Sequence, residues 1–334
     1  MTIDPVKIVF GGAAIGPGMW TAFPDEESIE KVLSAARARR LRCHRHGAYL
    51  LRLGRLDGKD RCRNALQLSA ARHLAAWPPG TSTGENIPQH AKETVERLRV
   101  ESIDIYYIHM PDPSVDLEDQ LKGINAAYAA GYFKRFGLSN FTVEDVQRVY
   151  DICRDKGYPL PTVYQGNYNA FSRRPETGAF IPTLRRLGIA FYVYSPITGG
   201  LLTKTPQQFR GTGRKMAALR RATPSAGFTT GSTTGLHITR RSRCGRRAAK
   251  ETGYSKAELA YRWVAFDSIV DSKYGDAIIF GANSYTQIEE TMRWLKQGSV
   301  GAAAKAKVDE IWKVVEHDAP PHQGIPPRNP IYQH

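Results

Sequence analysis

The chain has 334 residues, of which 41% are hydrophobic and 24% charged, and a formal net charge of +15. That length suits one large α/β barrel or two ordinary domains, and either could bury a substantial core. No basic leader joined to an apolar run opens the chain and no run of eighteen apolar residues occurs, so the composition argues against secretion and helical membrane spans; the expectation is a soluble, cytoplasmic protein.

The first β-rich run is VKIVFGGAAIG, Val6 to Gly16. The sequence then breaks pattern. From Ala35 to Ala76 there is no Val, Ile, Thr or Phe, the residues from which strands are usually built, and ten Arg and one Lys stand against two Asp. Beyond this block, IDIYYIH ends at His109, FKRFGLSN ends at Asn140, TVYQGNYN begins at Thr162, IAFYVYS ends at Ser195 and DAIIFGA ends at Ala282. The points His109, Asn140, Gln165 and Ser195 lie about 25 to 31 residues apart, the repeat of a βα unit. Between them run LEDQLKGINAAYAAG, VEDVQRVYDICRDKG and FIPTLRRLG, amphipathic stretches that close on Gly as helices often do.

Six strands are thus read directly, and the first block occupies the space where two more are due, which predicts a single (β/α)8 TIM barrel over residues 1–334. A doubly wound sheet is the alternative. It requires a glycine-rich phosphate turn after the first strand, but GGAAIGPG lacks the GxGxxG spacing and no acidic residue closes a second strand.

A second basic block, Arg210 to Arg247, carries nine Arg and one Lys and no acidic residue. Together the blocks hold 21 of the 47 basic residues and 2 of the 32 acidic ones, leaving 26 against 30 elsewhere. A strongly basic chain ordinarily suggests a polyanionic partner, yet here the excess is confined to two segments. They read either as solvated, disordered basic insertions or as frame-shifted translation. The genetic code permits the second reading. HRHGAYLL at His44 to Leu51 can be encoded so that a frame one nucleotide later gives Thr-Asp-Thr-Ala-Arg-Ile-Tyr, and Leu56 to Arg63 in that frame can give Trp-Met-Gly-Lys-Thr-Gly-Ala. At a two-nucleotide offset, Arg240 to Arg247 can give Ala-Leu-Glu-Val-Trp-Glu-Ala, which runs into AAKETGYSKAELAYRW as one amphipathic helical pattern. The blocks are therefore not read as a nucleic-acid site. The four cysteines, Cys43, Cys62, Cys153 and Cys244, form no CxxC pair and no metal-ligand spacing with histidine, so neither a disulfide framework nor a structural metal is expected.

The strings YYIHMPD, FKRFGLSN, PTVYQGNYNA, FYVYSPITGGLLT, SKAELAYRWVAF and DAIIFGANSYTQIEET, in this order and spacing, resemble the aldo-keto reductase superfamily, and within it the aflatoxin-aldehyde-reductase-like branch of fungal type. The resemblance spans Pro5 to Glu30, Asn86 to Gln208 and Ala248 to Glu316. It implies hydride transfer from NADPH to a small aldehyde or ketone, with no metal, nucleic acid or membrane involved. In such a family a Tyr donates the proton, a Lys paired with an Asp perturbs that phenol from its ordinary value of about 10, and a His orients the carbonyl. His109 matches that His. The Asp and Tyr motif, D-T-A-x-x-Y, is recovered only in the shifted frame near His44 to Leu51, and the Lys is not recovered near Arg72 to Ala76 in either frame. Asp57 and Lys59 are not nominated as substitutes.

On the cofactor side, the resemblance assigns Ser139, Asn140 and Gln165 to the nicotinamide carboxamide, and Tyr194 to stacking on its ring. Their structural alternatives are turn capping and a core aromatic. Ser195, Pro196, Gly199, Gly200 and Leu201 resemble the loop that closes over the pyrophosphate through backbone N–H groups, with Lys204 as a phosphate partner. Gly281, Asn283, Ser284, Gln287 and Glu290 match the strand-to-helix segment that grips adenosine and its 2′-phosphate, and Asn283 and Ser284 could equally cap that helix. Three functions follow: a carbonyl reductase, a catalytically impaired NADP-binding or scaffold protein, and a basic nucleic-acid binder, the last requiring salt-sensitive retention on DNA or RNA.

Overall fold

The computed structural model describes residues 6–12, 22–23, 25–38, 42–46, 69–71, 80–98, 100–198 and 235–319. Within them the strands are β1 (Lys7–Gly11), β2 (Arg42–His46), β3 (Ser69–Ala71), β4 (Ile103–Ile108), β5 (Phe133–Ser139), β6 (Pro161–Asn167), β7 (Ala190–Tyr194) and β8 (Ala277–Phe280). The helices are α1 (Glu26–Ala38), α2 (Asn86–Leu98), α3 (Leu117–Ala129), α4 (Val143–Lys156), α5 (Phe180–Arg186), α6 (Gly235–Thr252), α7 (Lys256–Arg262), α8 (Tyr285–Leu295) and α9 (Ala302–Val315).

Local chemistry sets many of these boundaries. Asp116 caps α3 by accepting from the backbone N–H groups of Glu118 and Asp119, and Thr142 caps α4 by accepting from Asp145 N. Helix α4 stops at Gly157, whose φ of 67° is the left-handed conformation that ends many helices. Ser255 caps α7 in the same way as Thr142, accepting from Glu258 N.

The strands join in one sheet, ordered β3-β2-β1-β8-β7-β6-β5-β4. Pairing is parallel at β1–β2, β1–β8, β2–β3, β4–β5 and β5–β6. Every neighbour is sequential except that the first strand lies beside the last, whereas a doubly wound sheet reverses its order partway. The edge strands β3 and β4 approach each other, but no hydrogen-bonded ladder joins them among the described residues. The architecture is a curled parallel sheet flanked by helices, rather than the closed ring expected from the sequence. With three residues, β3 offers few main-chain groups for a second ladder beyond the one it makes with β2.

The first basic block holds the two strands that the count of eight placed there, and part of the second block is regular as well. Strands occur inside the first block, at residues 42–46 and 69–71, although it lacks strand-forming residue types. The ladder uses main-chain groups, so β1 can pair with Arg42, Cys43 and His44 whatever their side chains. The second block is not irregular throughout either, since α6 runs from Gly235 to Thr252. Arginine is among the better helix formers, so an Arg-rich stretch is locally compatible with that state.

The chain packs as two compact units, one comprising residues 1–165, 182–192 and 272–289, the other residues 166–181, 193–271 and 290–334. In the first, the Phe10 and Phe280 rings meet edge-on at 5.4 Å, and Tyr106 stacks on Phe133 at 5.4 Å. Its buried Asp276 accepts from both terminal nitrogens of Arg185, at 2.7 and 2.6 Å, and from Phe191 N at 2.8 Å. In the second unit, Arg173 bonds Glu176 and Asp309 and lies 5.0 Å over the Trp263 ring, on which Tyr168 also stacks. No described helix is long and apolar enough to cross a membrane.

Candidate active site

His109, Ser139 and Gln165 stand at the C-terminal ends of the adjacent strands β4, β5 and β6. Register places them level: Ile108 pairs with Leu138, and Ser139 pairs with Gln165. The strand-end location follows from the sequence, because each β-rich run stops where polar residues begin. What the sequence does not state is that these ends touch. Asn140 Nδ2 donates to the His109 carbonyl oxygen at 2.7 Å and to Ser139 Oγ at 3.1 Å. Ser139, Asn140 and Gln165 are all buried. Asn140 has φ of 63°, a left-handed conformation that asparagine tolerates better than most residues. The cap of α4 is Thr142, so Asn140 is not a helix cap.

The same unit contains a second tier beneath this row. Tyr107 pairs with Gly137 across β4 and β5, and a Cβ added at Gly137 would lie 2.5 Å from the Tyr107 ring. The glycine thus gives the ring room to cross β5. Burial pushes the Tyr107 phenol well above its ordinary value, with the side chain of Gln165, on the next strand, pulling the other way. Asp112, in the loop after β4, is also buried and accepts from Gly80 N at 3.1 Å and Ser114 Oγ at 2.5 Å, tying that loop to the segment before α2.

Gly281, Asn283, Ser284 and Gln287 follow β8 and open α8 in this unit. Here capping is realised: Gln287 N donates to Ser284 Oγ at 3.3 Å, while Gln287 Oε1 accepts from Asn283 N at 2.7 Å. The pair S-x-x-Q was a legible signal of that role.

Tyr194, Ser195, Pro196 and Glu290 belong to the second unit. Burial raises the Tyr194 phenol to about 12, which makes it a poor acid at neutral pH and suits an apolar ring role. Ser195 has φ of 57°, and its carbonyl accepts from Thr198 N at 2.8 Å and from Asn169 Nδ2 at 3.0 Å. Pro196 is buried and Glu290 half-buried. Gly199, Gly200, Leu201 and Lys204 lie outside the described residues, as does the stretch near Arg72 to Ala76 beyond the last residue of β3. Sequence reasoning passed over Tyr107, Gly137 and Asn169. Only the alternation of polar and aromatic residues in GNYNA, directly after Gln165, could have drawn attention to the last of them. No group of three or more potential metal ligands occurs among the described residues.

Comparison with known proteins bears directly on this arrangement. The model of the "Aldo/keto reductase family" matches residues 65–313, beginning inside the first basic block. The chain is 34% identical to "Oxidoreductase sirO" of Leptosphaeria maculans, over 72% of each protein. It is 31% identical to human "Aldo-keto reductase family 7 member A3", over 68% of this chain and 70% of that protein. To human "Aflatoxin B1 aldehyde reductase member 4" it is 28% identical, over 80% of this chain and 81% of that one. The chain belongs to the aldo/keto reductase family and is, with it, an oxidoreductase enzyme.

Proposed function

We propose that the chain reduces an aldehyde or ketone to the alcohol with hydride from NADPH, as a member of the aflatoxin-aldehyde-reductase-like branch whose sheet closes into a (β/α)8 barrel. The observation that carries the reading is the bonded row at the ends of β4 to β6, where Asn140 ties His109 to Ser139 and Gln165 pairs alongside. The donor set fits the cofactor. Neutral amides and a hydroxyl both donate and accept, as a carboxamide requires, and all three side chains are buried where water competes least.

Ser139, Asn140 and Gln165 hold the carboxamide in this reading. Both Asn140 amide hydrogens are engaged by the protein, so its Oδ1 is the atom that receives a ligand N–H. Tyr194 supplies a neutral ring for stacking, and Ser195 and Pro196 begin the loop over the pyrophosphate, continued by Gly199, Gly200, Leu201 and Lys204. Gly281, Asn283, Ser284, Gln287 and Glu290 hold the adenosine end. His109 donates to the substrate carbonyl and orients it. When bound, NADPH supplies the hydride. The small-molecule substrate is a reactive carbonyl compound, and a place in fungal secondary metabolism belongs to the same proposal.

A second reading is favoured by one observation. Strand β2 carries Arg42, Cys43, His44, Arg45 and His46 where the resemblance expects the Asp of the proton-donating set. On that reading the chain binds NADPH but is catalytically impaired, because loss of a positioned proton donor slows such reactions by roughly 10²–10⁴-fold. Fluorescence titration with NADPH, followed by its oxidation in the presence of a reactive aldehyde, separates the two. Binding with turnover supports the reductase, binding without turnover supports the impaired protein, and absence of binding removes both.

A further inference from the structure

The backbone at the end of β7 adopts a conformation that its own residue does not favour. Ser195 is left-handed at φ 57°, a state in which a Cβ crowds the following carbonyl oxygen. Glycine would take it freely, yet serine stands there. Something outside the local sequence has to hold it.

Within the same unit, the turn after β6 does so. Asn169 is fully buried, and its Nδ2 donates to the Ser195 carbonyl at 3.0 Å and to Asn167 Oδ1 at 3.2 Å. Its Oδ1 accepts from Phe171 N at 3.0 Å. Its main chain is bridged to Ser172, with Ser172 N donating to Asn169 O at 2.9 Å. One residue upstream, Tyr168 N donates to Tyr194 O at 3.3 Å. Two consecutive carbonyls of the β7 exit, those of Tyr194 and Ser195, are thus held by two consecutive residues of one turn. The Ser195 carbonyl takes a further donor from Thr198 N, so both its lone-pair directions are filled.

The chemistry is specific to asparagine. The position needs a donor toward Ser195 O and an acceptor toward Phe171 N from one short side chain. Aspartate supplies only the acceptor, and serine is too short to bridge both groups.

We infer that Asn169 is a positioning residue, a latch that fixes the left-handed backbone at Ser195 and thereby aims Tyr194 and Pro196 at the cofactor. The inference rests on the reading above that Tyr194 to Pro196 contribute to NADPH binding. Asn169 itself touches no reacting atom.

The test compares the parent chain with Asn169→Asp, Asn169→Ser, Ser195→Gly and the double variant Asn169→Asp with Ser195→Gly. NADPH affinity is read by fluorescence, its dissociation by stopped flow, and cofactor-free stability by thermal melting. Losing one buried hydrogen bond that holds the binding-competent loop weakens NADPH by about tenfold in Asn169→Asp and Asn169→Ser, chiefly through faster dissociation. KM for NADPH rises with it, and KM for the aldehyde does not. In the double variant, Ser195→Gly restores most of the affinity that Asn169→Asp alone loses, because glycine reaches the left-handed state without a latch. Parent-like affinity in both Asn169 variants overturns the inference, as does a loss that Ser195→Gly leaves unrepaired. Failure of both Asn169 variants to fold also overturns it, placing the residue in the fold rather than the loop. If the parent does not bind NADPH, the cofactor reading falls first and this inference with it.

Discussion

Asn140 donates its side-chain amide to the main-chain carbonyl of His109 at 2.7 Å, joining the end of β5 to the end of β4. The bond couples a residue assigned to the cofactor with one assigned to the substrate. Replacing Asn140 removes that coupling in two separable ways. Asn140→Ala loses the amide and strains the left-handed backbone, whereas Asn140→Gly loses the amide alone. Both are expected to weaken NADPH about tenfold, and alanine is expected to cost about 1 kcal/mol more stability than glycine. Thermal melts of the two variants beside titrations check the split; equal melting temperatures would refute it.

Gly137 is expected to be intolerant of a methyl group. An added Cβ would lie 2.5 and 2.6 Å from two atoms of the Tyr107 ring, and that ring is buried. Gly137→Ala should lower stability by about 1–3 kcal/mol, the usual cost of overpacking. In a Tyr107→Leu background the same change should cost less, since the clashing ring atoms are gone. Urea denaturation of the four chains gives the cycle, and an unchanged cost in the second background would contradict the packing described.

Acid stability depends on the second unit. Partial burial pushes Asp309 up, but hydrogen bonds from Lys305 and Arg173 outweigh it and hold the carboxyl below its ordinary 3.8. A lowered folded-state value means that the stabilisation is complete above the unfolded value and is lost as pH falls through the folded one. Urea midpoints should therefore decline below about pH 4, and Asp309→Asn should flatten part of that decline. The effect is modest, because Asp309 remains about a third exposed.

Turnover should be recoverable by sequence repair. Replacing residues 44–50 with Thr-Asp-Thr-Ala-Arg-Ile-Tyr restores an Asp and a Tyr of the D-T-A-x-x-Y pattern on and after β2. With a reactive aldehyde, the repaired chain should oxidise NADPH faster than the original by roughly 10²-fold or more. Equal rates in both chains, each shown to bind NADPH, would count against the frame-shift account of that block.

The sequence by itself determined the positions of β4 to β8 and the glycine-marked ends of α3, α4 and α5, because strand-forming runs and terminal glycines act within a few residues of one another. It also located His109, Ser139, Asn140, Gln165 and Tyr194 at strand ends, and offered Asn283 and Ser284 as caps at the start of α8. It could not supply the relations that cross the chain. Arg173 and Asp309 are 136 residues apart, Arg185 and Asp276 are 91 apart, and Asn169 reaches Ser195 across 26. Such pairs leave no local periodicity to read. The first basic block shows the converse: its side chains argue against strands, yet β2 and β3 form there because a neighbouring strand offers main-chain partners to any sequence. Tertiary structure decided these points because hydrogen bonding and packing act between surfaces in space, whereas propensity acts along the chain.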